Sequence, residues 1–461
     1  MNLWLGMLPG SMKLERSRNA IRNVSFGLVA KIGAIFFPFL SRTVFIHTLG
    51  EAYLGLNSLF ALNGSCPPDI NLTVVYLVFL GNTVMSYFLF GYRMALITAF
   101  QREDLISKVD FFISGIICGL QITILLTVRN YYVYLLVLPL STIINNIRTL
   151  LISRWKFSQY SPQSGLSAKQ KEIIKEKVSG LMISKVSAAS RNSLDSIFIA
   201  MFMGLVATAK YTNYCYVMHS IVAALRVLTD AVTGGVGNSV VLESAEKNYH
   251  DMQRMNFLYM WLTGWCTICL LCMYQPFMEI WAGKKGMLPM SVVSLICVYF
   301  YFLKMGDVRN IYEQAKGIWW ENRFRAIAET VGNLFLNFWL GRWFGVHGII
   351  AATLVVLFFI DFCYGSRNIY RHYFKTEKIS EYYSSHIFYG LATVAAGVVT
   401  YIICEMLEGG ITGLIARMVV CVVVPNILYW LIYRRTEIYE ETMPWLFGKM
   451  FRLAKEMKAN L

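Results

Sequence analysis

The chain has 461 residues, of which 56% are hydrophobic and only 15% charged, with a formal net charge of +15. A soluble chain of this length needs far more polar surface, and single soluble cores stop growing at roughly 250–300 residues. One large water-soluble domain is therefore excluded, and the positive charge belongs to loops and anionic membrane lipid rather than to nucleic acid, since no basic nucleic-acid-binding element occurs.

The first eleven residues are apolar and lack the basic start of a signal peptide, so Met12, which opens MKLERSRNAIRN, is a candidate initiator. A bilayer core about 30 Å thick takes about 20 apolar residues as helix. Windows of that length predict twelve spans, over 23–46, 70–91, 105–128, 131–152, 178–204, 208–239, 255–280, 289–306, 326–344, 346–366, 384–405 and 412–433. The apolar run 53–62 is too short to cross.

The connecting loops alternate in charge. One set carries Lys13, Arg16, Arg18 and Arg22, then Arg93, Arg102 and Lys108, then the segments 148–177, 247–254, 304–325 and 367–378, and the tail from Arg434. The other set holds little beyond Arg42, Arg129, Lys210, Lys284, Lys285 and Arg342. Lys and Arg are retained on the cytoplasmic side, so both termini are expected there.

The fold class is all-α, a polytopic integral membrane protein. The expected organisation is an N-terminal bundle over 1–153, a cytoplasmic linker over 154–177, a C-terminal bundle over 178–378, an added helix pair over 379–433 and a cytoplasmic tail over 434–461. The linker end LSAKQKEIIKEKV reads as a short surface helix. In the tail, Leu446, Met450, Leu453 and Met457 recur at helical spacing against Lys449, Arg452, Lys455 and Lys458, which suits a helix lying on the inner leaflet or packed on the protein. Ser25, Lys31, Leu40 and Gly50 recur as Ser179, Lys185, Leu194 and Gly204 at a constant offset. A repeat in one orientation implies two bundles related by a pseudo-two-fold axis along the membrane normal.

A charge inside the bilayer costs at least about 2.5 kcal/mol and marks a functional candidate. The basic candidates are Lys31, Arg42, Lys185, Arg191, Arg226 and Arg417; the acidic ones are Asp195, Asp230 and Asp361. Arg191 and Asp195, like Arg226 and Asp230, stand four apart and meet on one helix face, so each pair is either self-neutralising or functional. Lys31, Lys185 and Arg417 also lie where a long side chain snorkels to the surface, and Asp361 has Arg367 nearby. Asn333, Asn337 and other span asparagines read as interhelical hydrogen-bonding residues. Trp261, Trp265 and Trp281 read as an interfacial belt, with sugar stacking by Trp265 or Tyr214 as the alternative. Cys266, Cys269 and Cys272 form a CxxCxxC run inside a span without a fourth ligand nearby, which reads as packing, and no metal site is expected.

The stretch SRNAIRNVSFGLVAKIGAIFFPFLSRTVFIHTLGEAYLGLNSLF resembles the opening of oligosaccharide repeat-unit flippases, the polysaccharide transporters within the multidrug/oligosaccharidyl-lipid/polysaccharide exporter superfamily. The resemblance continues through PPDINLTVVYLVFLGNTVMSYFLFGYRMALITAFQREDLISK, through NSLDSIFIAMFMGLVATAKYTNY and over 289–366, and so covers most of the chain. Its motifs are helix ends, which identify a family better than a substrate. It implies flipping of undecaprenyl-diphosphate-linked oligosaccharide from the inner to the outer leaflet of the bacterial cytoplasmic membrane, by alternating access, for envelope polysaccharide export. It implies no cofactor, and a polysaccharide polymerase machinery as a further partner. A cationic lumen of Lys31, Arg42, Lys185, Arg191, Arg226 and Arg417 would hold the diphosphate, and Asp195 or Asp230 would couple transport to protons or sodium.

The chain departs from the family pattern at Ala61, where YLGLNSLF runs directly into NGSCPPDI and a helix pair is missing. Three alternatives follow. An inactive truncated flippase would insert without transporting. A drug or cation exporter of the same fold would want an acidic pocket, against the basic balance here. A membrane enzyme on lipid-linked sugars would need acids or bases on outward loops, where Asp69 is nearly alone.

Overall fold

The computed structural model describes residues 30, 32–50, 53, 69–90, 92–99, 104–158, 165, 167–375 and 378–459. Among the described residues every regular element is helical. In chain order these are α1 (Ile32–Thr48), α2 (Leu72–Phe88), α3 (Tyr92–Ala99), α4 (Asp104–Thr127), α5 (Tyr131–Lys156), α6 (Ala168–Leu242) and α7 (Ala245–Ala282). They continue as α8 (Met290–Met305), α9 (Asp307–Lys316), α10 (Arg323–Val356), a wide π-helical stretch Leu357–Tyr364, α11 (Gly365–Ile369) and a second π turn Tyr370–Phe374. The chain ends with α12 (Ile379–Glu405), α13 (Gly410–Tyr433) and α14 (Glu437–Ala459).

Polar caps start several of these helices, because the first amides of a helix lack partners within it. The Asn71 side chain accepts from Thr73 N at 3.0 Å, Asn130 from Tyr132 N at 2.9 Å, and Ser244 from Lys247 N at 3.2 Å. Gly317, at φ 76°, closes α9 by donating its amide to Glu313 O.

Eight described helices are long and apolar enough to cross a membrane, and α1 and α2 are shorter apolar helices. The two longest each contain a pair of the expected windows, and hydrogen bonds show why they are pairs. Residues 20 apart in a straight helix stand about 30 Å apart, yet Asn333 donates to Thr353 Oγ1 at 2.9 Å. Tyr211 likewise donates to Asp195 across 16 residues, at 3.3 Å. Each long helix is therefore a hairpin of two spans. The reversals fall at Gly345 (φ 57°) and Gly204 (φ 84°), conformations that only glycine adopts without strain. Gly50, the repeat partner of Gly204, takes the same sign with φ 89°.

The α12 helix shows how these surfaces differ from those of a soluble protein. Leu391, Val394, Val398 and Ile402 form an exposed face, while Ala392, Thr393, Ala396, Gly397 and Thr400 form the buried one. Large aliphatic residues outward and small or hydroxyl residues inward is the arrangement of a helix in lipid, where close backbone approach replaces the hydrophobic effect.

The chain divides into two compact units. The first comprises 1–167 with 203–209 and 219–231; the second comprises 168–202, 210–218 and 232–461, including α12 and α13. The first unit is centred on Phe45, Val75, Leu125, Tyr131, Leu135 and Leu205. Thr142 donates to Asn82 at 2.6 Å between α5 and α2, and Ser41 to Gln121 at 2.9 Å between α1 and α4. Two expectations need correction. Arg148, assigned to a loop, is in α5 and bonds Asp110 of α4. The surface helix expected near 167–177 is the first part of α6, continuous with the span that follows. Helix α14 covers the expected amphipathic tail, whose side chains from 449 onward lie outside the described residues, as do Met12 and the departure at Ala61.

Candidate functional site

Two buried polar centres stand out in the second unit. The first is Asp195, 3% exposed, on the first arm of the α6 hairpin. Its carboxylate accepts from Thr353 Oγ1 at 2.9 and 3.1 Å, from Asn337 Nδ2 at 2.9 Å and from Tyr211 OH at 3.3 Å. Asn337 Nδ2 also donates to Asn333 Oδ1 at 3.1 Å. Both hairpins are needed, because one supplies Asp195 and Tyr211 and the other supplies Asn333, Asn337 and Thr353. Asn337 Oδ1 is buried with no hydrogen-bond partner. A buried acceptor without a donor costs about 1–3 kcal/mol. Asn337 turns its amide nitrogen to the carboxylate and to Asn333 Oδ1, which leaves its own buried Oδ1 open as a hard oxygen ligand for a small cation.

The second centre is a network of five charges. The fully buried Arg309 of α9 reaches Glu313 Oε1 at 3.2 Å and Asp361 Oδ1 at 3.2 Å. Arg325 of α10 reaches Glu313 Oε2 at 3.2 Å, Glu329 Oε1 at 3.5 Å and Asp361 Oδ1 at 3.6 Å. Asn322 donates to Glu313 Oε2 at 2.7 Å. Arg309 Nη1 also donates to the carbonyls of Asp361 and Phe362, at 2.7 and 3.1 Å. These two carbonyls belong to the π-helical stretch, whose wider turn tilts backbone oxygens away from the regular ladder.

Glycine makes the room. A Cβ on Gly365 would stand 2.5 Å from Arg325 Nη1 and 2.8 Å from Arg309 Nη1. Neither guanidinium is free to retreat, since each is held by carboxylates. Gly365→Ala is therefore expected to lower stability by about 1–3 kcal/mol, read as a drop in the melting temperature of the detergent-solubilised protein. Gly332→Ala, whose Cβ would meet only Ile360 and Val356 at 3.4 Å or more, is the control.

The network corrects one expectation. Asp361 is paired with Arg309 and Arg325 rather than neutralised by Arg367, and within the segment 304–325 Lys304, Arg309 and Glu313 are buried on helices rather than on a solvated loop. Lys304, also buried, bonds Asp307 at 2.7 Å. The signal that was legible is the (i, i+4) spacing of Arg309 with Glu313 and of Arg325 with Glu329. Asp361 joins from 52 residues away, a separation no periodicity reveals.

The other expected site residues are scattered. In the first unit Arg226 and Asp230 are exposed and face each other at 3.8 Å, and Arg42 is half-buried in α1. In the second unit Lys185 is exposed and forms no ion pair among the described residues. Arg417 donates to Leu407 O at 3.2 Å and lines a cavity of about 460 Å³ with Gln275, Glu279, Tyr401 and Glu405. Lys31 and the side chain of Arg191 lie outside the described residues. Trp261 and Trp265 are half-buried and donate to Asn426 Oδ1 at 2.9 Å and Cys421 O at 2.7 Å. Tyr214 is fully buried and bonds Gln275 at 2.8 Å, so it offers no face to a sugar.

No protein-family model matches the chain, and no curated protein matches it. Among solved structures it is similar to the lipid II flippase MurJ in an inward closed conformation, at 12% identity over 92% of this chain and 98% of that one, with a TM-score of 0.47. A likeness of that size fixes neither substrate nor mechanism.

Proposed function

We propose that this chain flips a polyprenyl-diphosphate-linked oligosaccharide from the inner to the outer leaflet of a bacterial cytoplasmic membrane, both termini being cytoplasmic, by alternating access coupled to sodium. The observation that carries the reading is the buried carboxylate centre at Asp195 with its open Asn337 oxygen, built by two helical hairpins of an apolar, multi-span unit. A carboxylate this deep is costly unless it serves binding or transport, and the unsatisfied Asn337 oxygen favours a metal cation over a proton, which would leave that acceptor unpaired.

The sequence resemblance to repeat-unit flippases supports the lipid-linked sugar as cargo. Under this reading Lys31, Arg42, Lys185, Arg191, Arg226 and Arg417 serve the diphosphate, with Asp230 as a second acidic site for coupling. Arg226 does so only after leaving Asp230, an exposed pair worth little.

The test is headgroup translocation in proteoliposomes, using a fluorescent polyprenyl-diphosphate oligosaccharide with and without a sodium gradient. Gradient-dependent translocation is the expected result, and none under either condition overturns the reading. Lys185→Ala is expected to slow it on the order of 10-fold, the worth of one charge-assisted hydrogen bond to phosphate at about 1.5–3 kcal/mol. Lys316→Ala, a cation lying over the Tyr373 ring, serves as the surface control.

A further inference from the structure

The chain's cysteines, read from sequence as packing, meet in a way their spacing conceals. The Sγ atoms of Cys272, Cys404 and Cys421 all lie within 4.8 Å of one another, and all three residues are buried. Each comes from a different helix, α7, α12 and α13. These helices pack closely because Gly264 of α7 leaves space for Tyr429 OH and Thr393 Oγ1, which a Cβ would meet at 2.3 and 2.5 Å. Tyr429 OH donates to Thr393 Oγ1 at 3.0 Å, locking α13 to α12. Eight residues further along α7, and eight back along α13, the thiols face each other. Trp265 Nε1, donating to Cys421 O at 2.7 Å, fixes the height of α13 at that level.

We propose that this triangle is a binding site for copper(I), held by three sulfurs. Thiolate ligands select soft ions such as Cu(I), and the three sulfurs within mutual reach form a trigonal set, with Cys269 Sγ, 3.9 Å from Cys421 O, standing outside the triangle. The size agrees. A metal–sulfur bond of about 2.3 Å puts the corners of a trigonal site about 4 Å apart, so the side chains need only small rotations. The ion has a route, since Cys272 lines the 460 Å³ cavity that also holds Glu279, Glu405 and Arg417. Glu405 and Glu279 put carboxylates on that lining, Glu279 also pairing with Lys284 at 3.5 Å. Arg417, four residues before Cys421, supplies a positive charge against the excess negative charge of a copper thiolate. Binding releases the thiol protons, which leave through the same cavity. The site does not depend on the flippase reading, because none of its residues touches the Asp195 centre's hydrogen-bonding groups.

The experiment uses the full chain in detergent, reduced and anaerobic, titrated with copper(I) against a chromogenic copper(I) chelator. One equivalent that resists the chelator is expected, with three sulfurs in the copper shell by X-ray absorption. Cys421→Ser and Cys404→Ser are each expected to weaken binding by about 100-fold or more, beyond the 10–100-fold that loss of a supporting residue costs. Cys297→Ser, a buried cysteine of α8, is expected to leave it unchanged. The wild-type spectrum decides by itself should the variants misfold. A shell with fewer than three sulfurs, full removal by the chelator, or a preference for tetrahedral zinc overturns the proposal.

Discussion

Arg309→Met is expected to destabilise the protein by roughly 3–5 kcal/mol, the cost of breaking a buried ion network by removing one partner. The guanidinium is fully buried and contacts Glu313, Asp361, Ser366 and Asn310 together with two backbone carbonyls. Without it, Glu313, Glu329 and Asp361 share the single charge of Arg325, and the carbonyls of Asp361 and Phe362 lose their donor. Arg309→Lys is expected to recover little, because one ammonium cannot reproduce five donors in a fixed fork. The measurement is thermal unfolding of the solubilised protein, followed by size-exclusion chromatography. The triple variant Arg309→Met, Glu313→Gln, Asp361→Asn separates charge from packing. It should regain more than half of the loss if the uncompensated carboxylates are the cause, and none if the methionine merely packs badly. A single variant as stable as the wild type would show that the network holds nothing.

Asp195→Asn is expected to abolish sodium-dependent translocation, by about 100-fold or more, while leaving the protein folded. The amide keeps the shape of the carboxylate, and Thr353 can rotate its hydroxyl to accept instead of donate. What the substitution removes is the negative charge that the Asn337 amide nitrogen and the Thr353 hydroxyl face. A ligand that binds only the folded state stabilises it by mass action, about 2.7 kcal/mol at 100 times its Kd. Sodium should therefore raise the melting temperature of the wild type, and potassium should not. Asp195→Asn should erase that difference, and Thr353→Val should reduce it. If sodium stabilises the variant as much as the wild type, the Asp195 centre is a structural hydrogen-bond junction and coupling lies elsewhere.

These two centres differ in how far the sequence exposed them. Asp195 stood out because a carboxylate in an apolar window is expensive even with Arg191 four residues before it, and that signal is local. Its partners Asn333 and Asn337 were visible as helical-spacing asparagines, but nothing tied them to Asp195 across 142 residues. Arg309 and Arg325 were hidden by the rule that located the membrane. A basic residue between two apolar windows reads as a solvated loop charge, and only its packing distinguishes a buried guanidinium from an exposed one.

Read alone, the sequence determined that this is a helical membrane protein with many apolar segments long enough to cross. Those properties depend on transfer of apolar residues into lipid, which is encoded within about 20 residues. It also marked which spans carry charge. The tertiary structure decided which charges meet, that Arg417 faces a cavity with Glu279 and Glu405 rather than the Asp195 centre, and that Cys272, Cys404 and Cys421 form one triangle. Such meetings depend on the axial register and rotation of helices distant in sequence. That register is set by small residues such as Gly264 and by single bonds such as Trp265 to Cys421, and no periodicity along one strand of sequence records it.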